Sequence, residues 1–168
     1  MATRKTGRGR TSRKTTPSKR ARSVRRAGGG RRVLIERHGP ETLRLRATTP
    51  SFTVNDLQRS LKFYTETLGF IVKERWNADS GELQGVMLLA GVCELGLSQD
   101  DWAKGRDRKK GEGFRLWFRT AQDIDALARR VKAAGFRLTE EPQDQPWGGR
   151  SFSLDDLDGY HLTIHRDK

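Results

Sequence analysis

Two stretches of this chain carry apolar residues at helical spacing, and alternating runs surround each of them. Leu57, Leu61, Tyr64 and Leu68 recur every three or four residues, as do Ile124, Leu127, Ala128 and Val131; this spacing lines one face of an α-helix. An Asp precedes each stretch, at Asp56 and Asp123, where an N-cap belongs, and a glycine follows, at Gly69 and Gly135, where a left-handed C-cap belongs. Thr120 and Asp123 also have the spacing of a capping box, with Asp in place of the usual Glu. Around these helices the period changes to two, which predicts strands over 49–54, 70–76, 83–90 and 92–98, then over 114–119, 136–139, 150–154 and 160–165. The order strand, helix, strand, strand, strand therefore occurs twice, with Gly69 and Gly135 separated by 66 residues. The predicted architecture is α+β: two βαβββ modules, about 47–98 and 113–166, with helices outside a cupped mixed sheet.

Charge divides the chain differently. Residues 1–33 hold 13 Lys and Arg and no acid, while residues 34–168 hold 21 of each sign. Apolar residues make up 6 of the first 33 positions and 50 of the remaining 135. Such a head buries too little apolar surface to offset its ordering entropy, so 1–33 is expected to be a disordered Lys/Arg-rich tail. Residues 34–46 form a lead-in, and 47–168 the folded domain. The tail cations Arg4, Lys5, Arg13, Lys14, Lys19, Arg20, Arg25, Arg26, Arg31 and Arg32 come in pairs between small residues. That pattern suits phosphate backbones through counterion release, and with no aromatic to stack on a base the contact with nucleic acid would be non-specific. A transit-peptide-like leader and a solubilising tail without a partner fit the same composition.

No apolar run nears the roughly 18 residues of a membrane helix, so no membrane partner is expected. No apolar core of a signal peptide follows Met1. Cys93 is the single cysteine, which excludes an internal disulfide and a Cys-based zinc knuckle. Its apolar neighbours predict a buried, inert thiol, and the expected location is the cytoplasm.

The segment Asn55-Asp56-Leu57-x-x-Ser60-x-x-Phe63-Tyr64, then Leu68-Gly69-Phe70, with Asp156-Leu157-Asp158-Gly159-Tyr160 near the end, resembles the vicinal oxygen chelate superfamily. That superfamily includes glyoxalase I, bleomycin-resistance proteins, fosfomycin-resistance enzymes and extradiol dioxygenases. Leu157 stands where the closing motif normally has Pro. The resemblance implies a cup commonly completed by a second copy, hence a homodimer, and in the enzymes a divalent metal. Carried over by motif, the ligand positions fall on Thr49, Glu94, Phe114 or Arg115, and Thr163. Only Glu94 ligates well, because Arg has no lone pair to offer and repels a cation. His161 is a possible second ligand. His161 and His165 lie about 13 Å apart along one strand, too far to share an ion, so no metal or other cofactor is expected.

Strand alternation places Ser51, Thr53, Glu94, Arg115, Trp117 and His161 on the faces turned away from the helices, with Trp102 and Trp147 on flanking loops. A few polar groups among aromatic walls is the usual form of a small-molecule site. Arg115 suits a carboxylate or phosphate, and the tryptophans suit a planar ligand. The same residues also admit plain structural roles: Glu94 paired with Arg115, Trp117 in the core, Trp147 anchoring its loop. The charged segment 99–113 reads either as a lid or as a solvated connection. Three functions follow: a metal-free small-molecule-binding protein of the bleomycin-resistance type, a metal-dependent lyase or dioxygenase, or a nucleic-acid-associated protein that uses the domain to dimerise.

Overall fold

The computed structural model describes residues 46–168. The basic segment 1–33, with all ten tail cations named above, and the lead-in up to residue 45 lie outside the described residues. The element order is β1 (Ser51–Val54), α1 (Leu57–Lys62, continued by a π-helical turn, Phe63–Thr67), β2 (Ile71–Asn77), β3 (Leu83–Ala90) and β4 (Cys93–Gln99). It continues with β5 (Arg115–Arg119), α2 (Ile124–Ala133), β6 (Glu140–Asp144), β7 (Arg150–Asp155) and β8 (His161–Arg166). The βαβββ unit therefore occurs twice. One sheet has the order β1-β4-β3-β2 and the other β5-β8-β7-β6; in each, the first strand pairs parallel to the fourth and the rest are antiparallel.

The helices begin where their caps predict. Asp56 accepts from the Arg59 amide at 2.9 Å and Asp123 from the Ala126 amide at 3.1 Å. Thr120 instead accepts from the Gln122 amide, so the capping box expected at Thr120 does not form; Asp123 is the cap. Gly69 and Gly135 end the helical stretches at φ 83° and 87°, the left-handed region that glycine enters without steric cost. Just before Gly69, the π-helical turn narrows the angle between successive side chains, and both Phe63 and Tyr64 are buried.

Phe52, Val54, Leu95, Leu97, Val86 and Leu88 line the helix-covered face of the first sheet, and Phe152, Leu154, Leu162 and Ile164 that of the second. These faces share one core. Phe63 meets Phe136 at 4.7 Å, Phe70 meets Phe118 at 5.7 Å, and Phe52 stacks on Tyr160 at 4.0 Å.

Two expectations need correction. The strand predicted over 136–139 is absent: Phe136 and Leu138 pack on the core, and the edge strand follows at Glu140–Asp144. That segment has no alternating apolar signal, and it tolerates Pro142 because an edge strand need not donate on its outer side. Arg150 ties this edge to α2, donating to both Asp125 oxygens at 2.9 Å and to Asp144 at 3.2 Å. Cys93 is exposed, not buried. It opens β4 directly after the tight turn at Gly91 and Val92, beyond the reach of the helix that covers the strand's middle. No helix among the described residues is long and apolar enough to cross a membrane.

Candidate functional site

Each sheet has a second face, away from its helix, and the candidate residues divide between the two. On the first sheet the face carries Ser51, Thr53 and Glu94. Ser51 lies over Gly96, whose position would bring a Cβ within 3.0 Å of the Ser51 Oγ. The Thr53 carbonyl accepts from the Tyr160 hydroxyl at 3.1 Å. Glu94 pairs with Lys73, which strand alternation from Ile71, in the row of Leu89 and Glu94, places on this face. The alternative pairing of Glu94 with Arg115 is therefore not made.

On the second sheet, register sets three rows side by side. Arg115, His161 and Asp155 form the first, Trp117, Thr163 and Ser153 the second, and Arg119, His165 and Ser151 the third. Arg115 and Trp117 thus stand on the open face, whereas Phe114 turns to the aromatic cluster around Phe52 and Tyr160. In the first row His161 Nδ1 lies 2.7 Å from Asp155. In the second, Ser153 bonds Thr163 at 3.0 Å and Glu140 at 2.9 Å. In the third, His165 Nε2 lies 3.0 Å from Asp167. Trp147 overhangs this end from the β6–β7 turn, 6.3 Å from Trp117, which is itself 5.9 Å from His165. Both indoles are open to solvent, Trp117 at 43% and Trp147 at 67%, so Trp117 is not a core residue. Arg115 and Arg119 are exposed cations at either end of the face.

Trp102 stands apart. It belongs to the turn after β4, at positive φ, with its ring beneath Arg106 at 4.7 Å and Lys110 at 5.2 Å. Lys110 in turn lies beside Asp158 in the β7–β8 turn, at the end of β7 opposite Trp147, about 17 Å away by strand rise. The sequence grouped these tryptophans by type, and the fold separates them. Conversely, Arg119, His165, Ser151 and Asp155 share the face without having been singled out. The parity that selected His161 contains His165, and pairing β8 between β5 and β7 would have added the others.

The motifs that carried the family resemblance form a junction between the modules, not a reactive site. Asp158 accepts from the Asn55 amide at 2.9 Å and from Ser60 at 3.4 Å. Asp156 accepts from the Tyr64 hydroxyl at 2.8 Å and from the amides of Asp158 and Tyr160 at 2.9 Å. Gln99 bridges the Leu57 amide and the Asn55 carbonyl. Burial pushes the Asp156 carboxyl up, with hydrogen bonds opposing it, and burial beside Asp156 raises the Tyr64 hydroxyl well above its ordinary value. Segment 99–113 is pinned to the junction: the buried Lys110 ammonium contacts Asp100 at 2.7 Å and Asn55 at 2.6 Å. The Lys110 hydrogen bond holds Asp100 below the usual carboxylate range. This segment is a fastened connection and not a lid.

The ligand positions carried over for a metal do not fit one. Phe114 has no donor atom, Arg115 is a cation, the Thr163 hydroxyl is engaged by Ser153, and Glu94 is held by Lys73. His161 and His165 have separate carboxylate partners and do not converge.

Two parallel-plus-antiparallel βαβββ sheets, joined through an Asn-Asp and an Asp-x-Asp-Gly turn, define the class. The sequence profile of the Glyoxalase/Bleomycin resistance protein/Dioxygenase superfamily matches residues 46–164, and the chain belongs to that superfamily. It is 28% identical over 116 residues to the glutathione transferase FosA of Serratia marcescens, covering 68% of this chain and 76% of that protein. Among solved structures it is similar to TioX from Micromonospora sp. ML1, with TM-score 0.60, 21% identity, and coverage of 71% of this chain and 97% of that one. It is also similar to a superfamily member from Sphaerobacter thermophilus, with TM-score 0.57, 25% identity, and coverage of 71% and 94%.

Proposed function

We propose that this protein binds a small planar anion on the open face of its second sheet, without a metal. The observation that carries the proposal is the row geometry: the exposed Trp117 stands between two exposed guanidiniums, Arg115 and Arg119, and the exposed indole of Trp147 lies 6.3 Å from it. Indoles supply stacking area, and a guanidinium takes a carboxylate or phosphate through a fork of donors. Ser51, Thr53 and Glu94 belong to the site to the extent that a second copy brings the first sheet's open face against the second's, as the family resemblance implies. Trp102 has no part in it. The likeness to the Serratia transferase supports a small-molecule role, but the donor set argues against carrying over chemistry that needs a metal.

The test is isothermal titration of the full chain with benzoate and with phenyl phosphate, each repeated on Arg115→Gln and Trp117→Ala. Saturable binding of at least one anion, weakened roughly tenfold by either change, is the expected result. Absence of binding, or binding indifferent to both substitutions, would overturn the proposal. Elemental analysis of protein purified without chelators is the companion measurement. One divalent ion per chain, lost on Glu94→Ala, would favour the metal-dependent alternative.

A further inference from the structure

The helix-covered side of the second sheet is not filled at one end. β5 is an outer strand of that sheet, and α2 packs over β6, β7 and β8. Phe118 on β5 is met instead by Phe70, just past the first helix, at 5.7 Å between ring centres. Between these supports lies an apolar hollow of about 660 Å³. Its walls are Phe118 and Ile164 of the sheet, Leu127 and Val131 of α2, and Leu68 and Phe70 of the first module. Small-molecule sites span roughly 300–1,000 Å³, so the hollow is large enough for one. Phe118 alternates with Trp117 along β5, which puts the hollow on the opposite side of the sheet from Arg115 and Trp117.

The β3–β4 turn forms one rim of the opening. Cys93 has the parity of Leu95 and Leu97 along β4, so its thiol faces the hollow and not the Glu94 side. Charge at the opening has one sign: the lining includes Arg119 and Arg130 and no acid. The Arg119 side chain belongs to the other face, with Trp117, which leaves Arg130. Its Nη2 donates to the Leu68 carbonyl at 2.8 Å, and a Cβ on Gly69 would lie 3.2 Å from the same nitrogen. The guanidinium is thus held at the rim. That bond uses one of its five donors, and among the described residues no carboxylate pairs with it. An apolar chamber with a fixed cation at its mouth suits an amphiphile whose head is a carboxylate.

We infer that this hollow is a second ligand site, which takes a monocarboxylate with an apolar tail. The tail lies between Phe118, Leu127 and Val131, and the carboxylate meets Arg130. The site is separate from the anion site proposed on the open face, and neither depends on the other.

The experiment follows alkylation of Cys93, the single cysteine, by the neutral reagent iodoacetamide on the full chain, in rising concentrations of decanoate or butyrate. The expected result is that saturating decanoate slows alkylation at least fivefold. Butyrate, the same head without the tail, should need at least tenfold more for the same protection. Arg130→Gln, an exposed helix position, should raise the half-protecting concentration of decanoate about tenfold. An alkylation rate that decanoate leaves unchanged would overturn the inference, and so would equal protection by butyrate, a comparison that needs no variant. Protection lost in Arg115→Gln and kept in Arg130→Gln would assign the carboxylate to the open face and overturn it as well. A thiol protected without any ligand, and freed on dilution of the chain, would give the hollow to a second copy and likewise overturn it.

Discussion

The hydroxyl of Tyr64 donates to Asp156 at 2.8 Å across 92 positions of sequence, and both groups are buried. This bond fastens the end of the first helix to the last turn of the second module, where Asp156 already accepts two backbone amides. Tyr64→Phe keeps the ring and its edge contacts with Phe63 and Phe70 but leaves a buried carboxylate oxygen without its donor. The expected loss in urea unfolding is about 1–3 kcal/mol. A loss within experimental error would mean that water reaches Asp156 and the junction is not dry.

Asp156 and Asp100 make opposite contributions to the pH dependence of stability. Burial raises the Asp156 carboxyl in the folded chain, so folding takes up a proton there. Its contribution is present below the ordinary carboxylate value and is lost as pH rises through the raised one. Asp100 is lowered, chiefly by the Lys110 hydrogen bond. Its contribution is present above the ordinary value and is lost as pH falls through the lowered one. Asp156→Asn is therefore expected to gain on the unaltered protein as pH rises from 4 to 7. Asp100→Asn is expected to be less stable at pH 7 and to close the gap under acid. Urea midpoints at these pH values check both, and slopes of the same sign for the two variants would refute the assignment.

Much of this fold is legible in the sequence because its signals are local. Asp56 and Asp123 cap their helices, Gly69 and Gly135 end them, and the strand from Leu83 to Ala90 keeps its predicted ends. Strand parity likewise places Arg115, Trp117 and His161 on one face, which register makes a contiguous row system. What escaped is tertiary in origin. The strand at Glu140–Asp144 is held by pairing and by Arg150 and has no hydrophobic period of its own. Lys73 reaches Glu94 only once β2, β3 and β4 are paired, and Trp102 is drawn away by Lys110 and Arg106. Asp156 and Asp158 signalled the family, yet their work is to join the modules, a role that appears only when Tyr64 and Asn55 are brought beside them.

Gly111 and Gly113 share nearly the same backbone, φ 69° and 72°, but not the same surroundings. A Cβ at Gly111 would fall 2.1 Å from the Gly159 carbonyl oxygen, while one at Gly113 meets nothing within 4 Å. Gly113→Ala should therefore cost only the left-handed strain, about 1–2 kcal/mol. Gly111→Ala must also part segment 99–113 from the β7–β8 turn, and is expected to cost at least about 2 kcal/mol more, or to prevent folding. Equal costs for the two variants, measured by urea unfolding, would show that the segment is not fastened there.

The basic segment 1–33 carries 13 cations and no acid, against a balanced remainder. Any affinity of this chain for polyanions should therefore reside in that segment and weaken steeply with salt. Where the full chain retains duplex DNA at physiological salt, removal of residues 1–33 is expected to abolish that retention and to leave the thermal midpoint unchanged. If the shortened chain still binds DNA, the exposed cations of the domain, Arg115 and Arg119 among them, would be responsible.

Cys93 offers a direct probe of the β3–β4 turn. It is exposed next to Val92, which is 96% exposed, and it borders an apolar hollow of about 660 Å³ shared with Leu68, Phe118 and Leu127. As the single cysteine of the chain, it reports without interference from any other thiol. A thiol reagent such as dithionitrobenzoate should label one equivalent per chain under native conditions, at a rate near that of the unfolded protein, because the thiol is open to the reagent. Labelling that requires denaturant would mean that the turn and its apolar neighbours are covered in solution. Dilution then identifies the cover: protection lost as the chain concentration falls belongs to a second copy, and protection independent of concentration belongs to the chain itself.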